Sequence, residues 1–391
     1  MPSTAQHEPL FLRLLESEFA LTFAAGHARE ELQRHWSRCV LPSSDGAAAV
    51  AVDDSDPSRL GTFRYPLTSR LTNRAIENLA GRFVSLHACG LSDGTGRVLA
   101  LVGASGSGKT TAALALASDD FGYVTDETVA VDRDGRVVGF PRPLAVADPE
   151  SVGGKSQRGP DELGLRTCPD ELTLGAIVLL HRVPERRDPP RLERLSLLDA
   201  VTALVPHTSF LTSVDRPLQA LAELTERCGV FRLTFRDVQD TRDLLRPVLG
   251  AGRPTGAAPW TPSPPPLTDD AVAWGLRDGR VRQVPCTDAV DVGDETLVLL
   301  DRRPVRLSGI GRTLWHWARS APSRAEALDH VVELHGQHPD ADRLVGAAIT
   351  TMQESGVLGH GVPQSAGQVL AGRSTARGRA GTCTLGSDDG P

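Results

Sequence analysis

The chain has 391 residues and a formal net charge of −7, so it is long enough for two or three domains and is not a polybasic nucleic-acid-binding protein. It has no apolar run of membrane-spanning length, and its N-terminus lacks the basic start and apolar core of a secretory signal. The six cysteines are scattered without a C-x-x-C pair, which favours reduced thiols and a cytoplasmic location over a zinc site or a disulfide framework.

Residues 1–90 are predicted to form a small α/β domain. Apolar residues alternate or cluster in three segments, which predicts strands at Phe19–Phe23, Ala47–Val52 and Phe83–Ala88. Helical spacing of apolar residues predicts helices over 27–40 and 67–80.

Residues 103–110 carry the most informative motif. They read Gly103-Ala104-Ser105-Gly106-Ser107-Gly108-Lys109-Thr110 and fit G-x-x-x-x-G-K-[ST], the phosphate-binding P-loop. The apolar run before the motif predicts a strand over 97–102, and the Ala-rich run after it predicts a helix over 109–118. The loop and Thr111 are therefore expected to bind ATP, with Lys109 at the β- and γ-phosphates and Thr110 on Mg²⁺. Lys109 is also one of only two lysines among 42 basic residues.

A carboxylate pair, Asp126-Glu127, begins 17 residues after Lys109, between the apolar strands predicted at 123–125 and 128–131. In a P-loop fold the end of such a strand lies near the phosphate loop, where a carboxylate can hold Mg²⁺ or accept a proton from an attacking hydroxyl. The alternative is a solvated turn.

Three further residues are weaker candidates. Residues 151–165 are rich in Gly, Ser and charge, which predicts a loop, and Lys155 in that loop would contribute positive charge over the phosphates. Arg182, after the strand predicted at 176–180, is a similar candidate; for both, an exposed loop cation is the alternative. His87 is either a catalytic group or a core histidine bonded to the backbone.

Composition also divides the rest of the chain. Alternating strands and helices over 91–250 predict a P-loop α/β catalytic core, and the Pro-rich segment 251–267 reads as a linker. Residues 268–360 are predicted to form a separate unit, with a β-meander followed by helices at 309–319, 323–335 and 341–355. The Gly-, Ser- and Arg-rich segment 361–391 is predicted to be a disordered tail.

The stretch from Leu86 to Val131, with Leu86-His87-Ala88, the glycine motif and the acidic pair, resembles the core of HPr kinase/phosphorylase and its kinase-like relatives. This resemblance implies ATP-dependent phosphorylation of a serine or threonine hydroxyl. By it, Asp126 is the catalytic base, Lys109 the phosphate clamp, and Thr110, Glu127 and Glu150 are the metal ligands. The bacterial HPr kinases carry Asp where this chain has Glu127, so HPr itself is not the expected substrate. HPr kinases are hexamers, which leaves a homo-oligomer open.

Residues 284–358 resemble the PqqD-like family, small winged-helix (α+β) modules that bind leader peptides in ribosomal peptide biosynthesis. The likeness lies in the stretch Leu307-Ser308-Gly309-Ile310-Gly311-Arg312-Thr313-Leu314-Trp315 and the helices after it. The resemblance implies that the sheet edge near 304–307 and the last helix form a groove for an extended peptide. A winged helix that binds DNA, or that only packs on the core, is the alternative.

Together these features predict a peptide kinase, similar to the lasso-peptide tailoring kinases, that uses ATP and Mg²⁺ to phosphorylate a Ser/Thr hydroxyl of a ribosomally made precursor. Its expected partner is that precursor peptide, with no nucleic acid and no membrane. Two alternatives stay open. One is a nucleotide-dependent leader-recognition partner without phosphotransfer of its own; the other is a small-molecule kinase with an unrelated C-terminal module.

Overall fold

The structure, a computed structural model, describes residues 8–56, 60–118, 120–151, 154–250, 259–264 and 280–359, with backbone only for 60–64. It divides into two compact units: Met1–Pro265 with Thr287–Arg306, and Pro266–Cys286 with Leu307–Pro391. The described chain is mixed α/β, as predicted. The predicted tail and most of the predicted linker lie outside the described residues.

A four-stranded sheet opens the first unit. Its strands are β1 (Leu10–Leu14), β2 (Ser17–Phe23), β3 (Val40–Leu41) and β4 (Ala48–Val52), in the order β3-β1-β2-β4. Two helices, α1 (Arg29–His35) and α2 (Leu60–Glu77), accompany it. Trp36 is fully buried in the same apolar cluster as Leu12 and Phe19, which explains why inward-facing residues of these strands are apolar. The predicted strands at 19–23 and 47–52 are confirmed.

A larger sheet of nine strands forms the centre of this unit. The strands of residues 84–235 are β5 (Val84–Ser92), β6 (Arg97–Val102), β7 (Gly122–Thr125), β8 (Thr128–Val131), β9 (Val137–Val138), β10 (Leu144–Ala147), β11 (Lys155–Arg158), β12 (Thr173–Arg182), β13 (Arg191–Arg194), β14 (Thr208–Ser209) and β15 (Val230–Phe235). The order is β13-β15-β12-β6-β5-β8-β9, with β7 and β14 also paired to β5, whereas β10 and β11 pair only with each other. Strand β6 runs parallel to β12 and antiparallel to β5.

Helices cover both faces of the central sheet. They are α3 (Lys109–Leu116), α4 (Leu197–Leu204), α5 (Pro217–Cys228) and α6 (Arg242–Leu245). Along β6, Val98 and Val102 belong to the apolar cluster that contains α4 and α5, whereas Leu99 and Leu101 belong to the cluster that contains α3. Because each face of β6 is covered, the strand reads as a continuous apolar run, as the sequence indicates.

Strand β5 connects the glycine motif to the acidic pair. Its first half pairs with β8 and its second half with β7, so the short break between β7 and β8 lies beside the middle of β5. There the Ala88 N–H donates to the carbonyl of Glu127 at 3.1 Å, and the Gly103 N–H donates to the carbonyl of His87 at 3.4 Å. Two adjacent residues of one strand therefore set the positions of both motifs.

The prediction of a loop over 151–165 is wrong for Lys155–Arg158, which forms β11. This strand pairs antiparallel with β10, with Ala147 opposite Lys155 and Leu144 opposite Arg158. Leu144 is buried in the same cluster as α3, and Gln157 accepts a hydrogen bond from the Thr68 hydroxyl at 2.9 Å. Hairpin pairing and this hydrogen bond stabilise β11 without burial of an apolar face. Its polar sequence therefore has no apolar alternation from which a strand could be predicted.

A second small sheet contains β16 (Trp260–Pro262), β17 (Asp288–Val292), β18 (Glu295–Leu300) and β19 (Arg303–Ser308), in that order. The carboxylate of Asp288 accepts hydrogen bonds from the backbone N–H groups of Leu218 (2.8 Å) and Gln219 (3.1 Å), at the N-terminus of α5. Leu297 and Leu299 lie in the same apolar cluster as α5. Residues 287–306, which the sequence groups with the C-terminal module, thus belong to the first unit by their contacts.

The second unit contains α7 (Gly309–Trp317), α8 (Arg324–His335) and α9 (Ala341–Glu354), which confirms the three helices predicted there. Trp315 is buried, and the Trp317 ring stacks on His330 with centroids 3.8 Å apart. Helix α8 begins with a capping box between Ser323 and Glu326. In the part of the chain that the structure describes, no helix combines the length and hydropathy needed to cross a bilayer.

Gly122→Ala should lower the free energy of unfolding by about 1–3 kcal/mol, because the new methyl group has no space. A Cβ at Gly122 would lie 2.5 Å from the carbonyl oxygen of Thr167 and 2.8 Å from the Cα of Cys168. Urea denaturation measures the change. Gly94→Ala is the matched control, since no atom lies within 4 Å of its added Cβ, and equal midpoints for the two variants would contradict the packing argument.

Candidate functional site

The segment Gly103–Gly108, called here the glycine loop, joins the end of β6 to the start of α3. Gly106 and Gly108 have φ angles of +82° and +100°, a region that side chains disfavour, so glycine is required at both positions. A tight turn forms inside the loop where the Ser107 N–H donates to the carbonyl of Ala104 at 3.1 Å. The first N–H groups of α3 therefore open onto a concave stretch of backbone that suits an anion.

Lys109, the first residue of α3, turns its side chain back against this loop. Its Nζ donates to the carbonyl oxygens of Gly103 (2.7 Å) and Ala104 (3.0 Å), and the residue is only 8% exposed. Burial lowers the pKa of Lys109, and the carboxylates of Glu127 and Asp126 act in the opposite direction. The loop carbonyls thus hold the compact ammonium group of Lys109 in place.

Thr110 and Asp126 meet directly. The Thr110 hydroxyl donates to Oδ2 of Asp126 at 3.1 Å, and the Tyr123 hydroxyl lies 3.4 Å from Oδ1 of the same carboxylate. Burial raises the pKa of Asp126 above its ordinary value of 3.8; Arg142 opposes that rise and Glu127 adds to it. The break between β7 and β8 therefore places a buried, basic carboxylate at the N-terminus of α3.

Glu127 points to different partners. Its Oε2 accepts from Nη1 of Arg142 at 2.7 Å, and its Oε1 lies 3.5 Å from Nδ1 of His87. Burial and the charge of Lys109 lower the pKa of His87, while Glu127 acts to raise it. His87 consequently belongs to the site through Glu127, and the two neighbouring carboxylates have separate environments.

Arg142 is a site residue that sequence reasoning missed. Its side chain is 8% exposed, and its carbonyl oxygen accepts from the Tyr123 hydroxyl at 3.0 Å. Burial works to lower the pKa of Arg142, but Asp126 and Glu127 raise it overall, so the guanidinium stays charged. The only signal in the sequence is an arginine between Pro141 and Pro143, which restrict the backbone without indicating a partner.

Glu150 and Lys155 lie on the β10–β11 hairpin. Glu150 is in the turn, where its N–H donates to Oδ1 of Asp148 at 3.2 Å, and Lys155 is exposed at the start of β11. Within the described ranges, neither side chain bonds to Thr110, Asp126 or Glu127, and no group of three or more His, Cys, Asp or Glu could hold a metal ion. The structure thus brings together Lys109, Thr110, Asp126 and Glu127, and places Glu150 and Lys155 on a separate element.

A cavity of about 530 Å³ opens beside the glycine loop. Its lining includes Gly103–Ser107, the last residues of β12 and two basic side chains, His207 and Arg232, that the sequence did not single out. Arg182, a weak candidate from the sequence, also lines it and donates from Nε to the carbonyl of Arg236 at 3.1 Å.

Comparison of the chain with protein-family models gave no match, and comparison with curated proteins gave none either. The functional argument therefore rests on the geometry of the site and on the sequence motifs.

Arg142→Gln should lower the free energy of unfolding by about 2–3 kcal/mol, because it removes a buried cation and leaves the half-buried Glu127 with one fewer partner. Chemical denaturation at neutral pH measures this loss. Arg133→Gln removes an arginine from an exposed pair with Asp215 and should change stability by less than about 0.5 kcal/mol. A loss at Arg142 no larger than at Arg133 would show that the buried pair is not stabilising.

Proposed function

We propose that the first unit binds ATP at the glycine loop and transfers its γ-phosphoryl group to a hydroxyl, with Asp126 as the general base. The observation that carries this proposal is the 3.1 Å hydrogen bond from Thr110 to Asp126. It joins the residue after the loop lysine to a buried carboxylate that directly follows β7. A phosphate loop with a carboxylate beside it supports phosphoryl transfer, because such a carboxylate can accept the proton of an attacking hydroxyl.

The loop backbone and Lys109 support phosphate binding. In a loop of this pattern the backbone N–H groups surround the phosphates, and the lysine reaches the β- and γ-phosphates. The φ angles of Gly106 and Gly108 and the helix that begins at Lys109 suit this role. Thr110 offers a hard oxygen next to the Asp126 carboxylate, which fits Mg²⁺, and Thr110 would hold that ion with the phosphates and help neutralise their charge.

The environment of Asp126 supports its role as a base. A buried carboxylate with a raised pKa accepts a proton more readily than a solvated one, provided that it is ionised at the working pH. The guanidinium of Arg142, paired with Glu127, favours the ionised form. Asp126 would accept the proton of the acceptor hydroxyl, while Glu127 and Arg142 keep its orientation and charge.

For the acceptor we propose a Ser/Thr hydroxyl of a precursor peptide, as the resemblance of residues 284–358 to leader-binding modules implies. Strand β19 ends the order of the second small sheet, so an extended peptide could pair with its outer edge. Binding of a leader would raise the effective concentration of the tethered acceptor at the glycine loop.

Asp126→Asn should reduce phosphoryl transfer by about 100-fold or more, because the amide cannot accept the proton, and should leave ATP affinity within about threefold. Mass spectrometry of a co-expressed precursor measures transfer, and fluorescence titration with an ATP analogue measures affinity. Asp215→Asn, an exposed aspartate, is the matched control.

Transfer at the wild-type rate in Asp126→Asn would exclude Asp126 as the base. A wild-type protein that binds ATP and the precursor without forming phosphopeptide would favour the recognition-partner alternative over the kinase.

The rate of transfer should fall at acid pH, because protonated Asp126 cannot act as a base. Since its pKa lies above 3.8 in the folded protein, the acid limb lies at higher pH than a solvated aspartate would produce. Glu127→Gln removes a negative neighbour and leaves Arg142 beside Asp126, so the limb should move to lower pH. A pH profile of kcat/KM for both proteins tests this, and a shift to higher pH would contradict it.

A further inference from the structure

The cavity beside the glycine loop is lined by positive and neutral groups. Its polar side chains include His181, Arg182, His207 and Arg232, and no aspartate or glutamate is among its lining residues. A concave surface with charges of one sign concentrates ions of the opposite sign. This cavity therefore suits a ligand with a negative group.

Neither arginine forms an ion pair with a carboxylate of the described residues. Arg182 is exposed, and its single hydrogen bond goes to the Arg236 carbonyl, which leaves its terminal nitrogens for a ligand. Arg232 lies opposite Glu193 in the register of β15 and β13, but the Glu193 carboxylate is paired with Arg191 at 2.6 Å. Guanidinium groups bind carboxylates and phosphates through paired hydrogen bonds.

The position of Lys109 shows which end of a bound nucleotide this cavity would face. The lysine of such a loop reaches the β- and γ-phosphates, and here its ammonium lies on the carbonyls of Gly103 and Ala104, which also line the cavity. The cavity thus opens at the end of the loop where the transferred group would lie.

His207 belongs to the cavity lining and lies close to two basic groups of the candidate site. It lines the cavity, is partly buried, and lies close enough to His87 and Lys109 for their charges to act on it. One side chain of the cavity lining therefore lies within electrostatic range of Lys109 and His87.

We propose that this cavity binds a negative group on the phosphoryl acceptor. The acceptor molecule therefore contains a carboxylate or a phosphate close to its accepting hydroxyl. Arg182 and Arg232 bind that group and position the hydroxyl at the transfer end of the glycine loop. This inference rests on the proposed phosphoryl transfer. It narrows the acceptor to an anionic one, whether the charge belongs to a peptide carboxylate or to a phosphorylated small molecule.

The test uses the full chain saturated with Mg²⁺ and ADP, and small probes in charged and neutral pairs. N-acetylserine and N-acetylserinamide differ only in the carboxylate, and glycerol 3-phosphate and glycerol differ in the phosphate. Saturation-transfer NMR titrations measure their weak affinities in the wild type, in Arg182→Gln and in Arg182→Gln/Arg232→Gln. The matched control is Arg34→Gln/Arg74→Gln, which removes two exposed helical arginines outside the cavity.

We expect at least one charged probe to bind about tenfold or more tightly than its neutral partner. The double cavity variant should lose that preference, the exposed Arg182→Gln variant should lose part of it, and the control should keep it. A preference for N-acetylserine indicates a peptide carboxylate, and a preference for glycerol 3-phosphate indicates a phosphorylated acceptor. Equal affinity of the charged and neutral probes, or an unchanged preference in the double variant, would overturn the proposal.

A parallel titration of the ADP-free protein with a fluorescent ATP analogue separates the two proposals. If the double variant binds the analogue within threefold of wild type, the cavity acts on the acceptor. If its nucleotide affinity falls as far as its anion preference, the cavity is part of the nucleotide site and the inference is wrong. If the wild type does not bind the analogue at all, the proposed function fails, whatever the anion probes show.

Discussion

The pairing of β5 with four neighbouring strands is the constraint on which the candidate site depends. One strand pairs with β6 before the glycine loop and with β7 and β8 on either side of the acidic pair. Its middle residues, His87 and Ala88, bond to Gly103 and Glu127 through the backbone. Because these are backbone hydrogen bonds in a buried sheet, the distance between loop and carboxylates is set by strand register and not by flexible side chains. The 3.1 Å contact between Thr110 and Asp126 follows from that register.

The charged side chains that the sheet brings together also constrain the geometry of the site. Lys109, Arg142, Asp126 and Glu127 are all partly or fully buried, and each lies close to an opposite charge. Burial of a charge is costly unless it is paired, so the four residues constrain each other. The result is an asymmetric pair of carboxylates. Glu127 is held by Arg142, and Asp126 keeps its contact with Thr110 at the helix terminus. Sites that perform proton transfer commonly contain such differently tuned neighbours.

Sequence reasoning worked best where a local pattern and the tertiary environment agree. The strand before the glycine loop, the helix after it and the three helices of the second unit lie close to their predicted limits, since their apolar spacing reflects the faces that they bury. It failed at Lys155–Arg158, where a polar segment becomes a strand through pairing with β10. It also failed to identify Arg142, His207 and Arg232, because each acquires its environment from contacts that form only in the folded chain.

By itself, the sequence determined the glycine loop, its lysine and threonine, and the presence of a carboxylate pair downstream, since these are local patterns tied to backbone conformation and residue chemistry. Only the tertiary structure decided which carboxylate meets Thr110, which is held by an arginine, and which basic groups line the neighbouring cavity. It also joined the strands of residues 288–300 to α5 through Asp288. Such relations depend on strand register and on contacts between distant segments, which residue spacing along one chain does not encode.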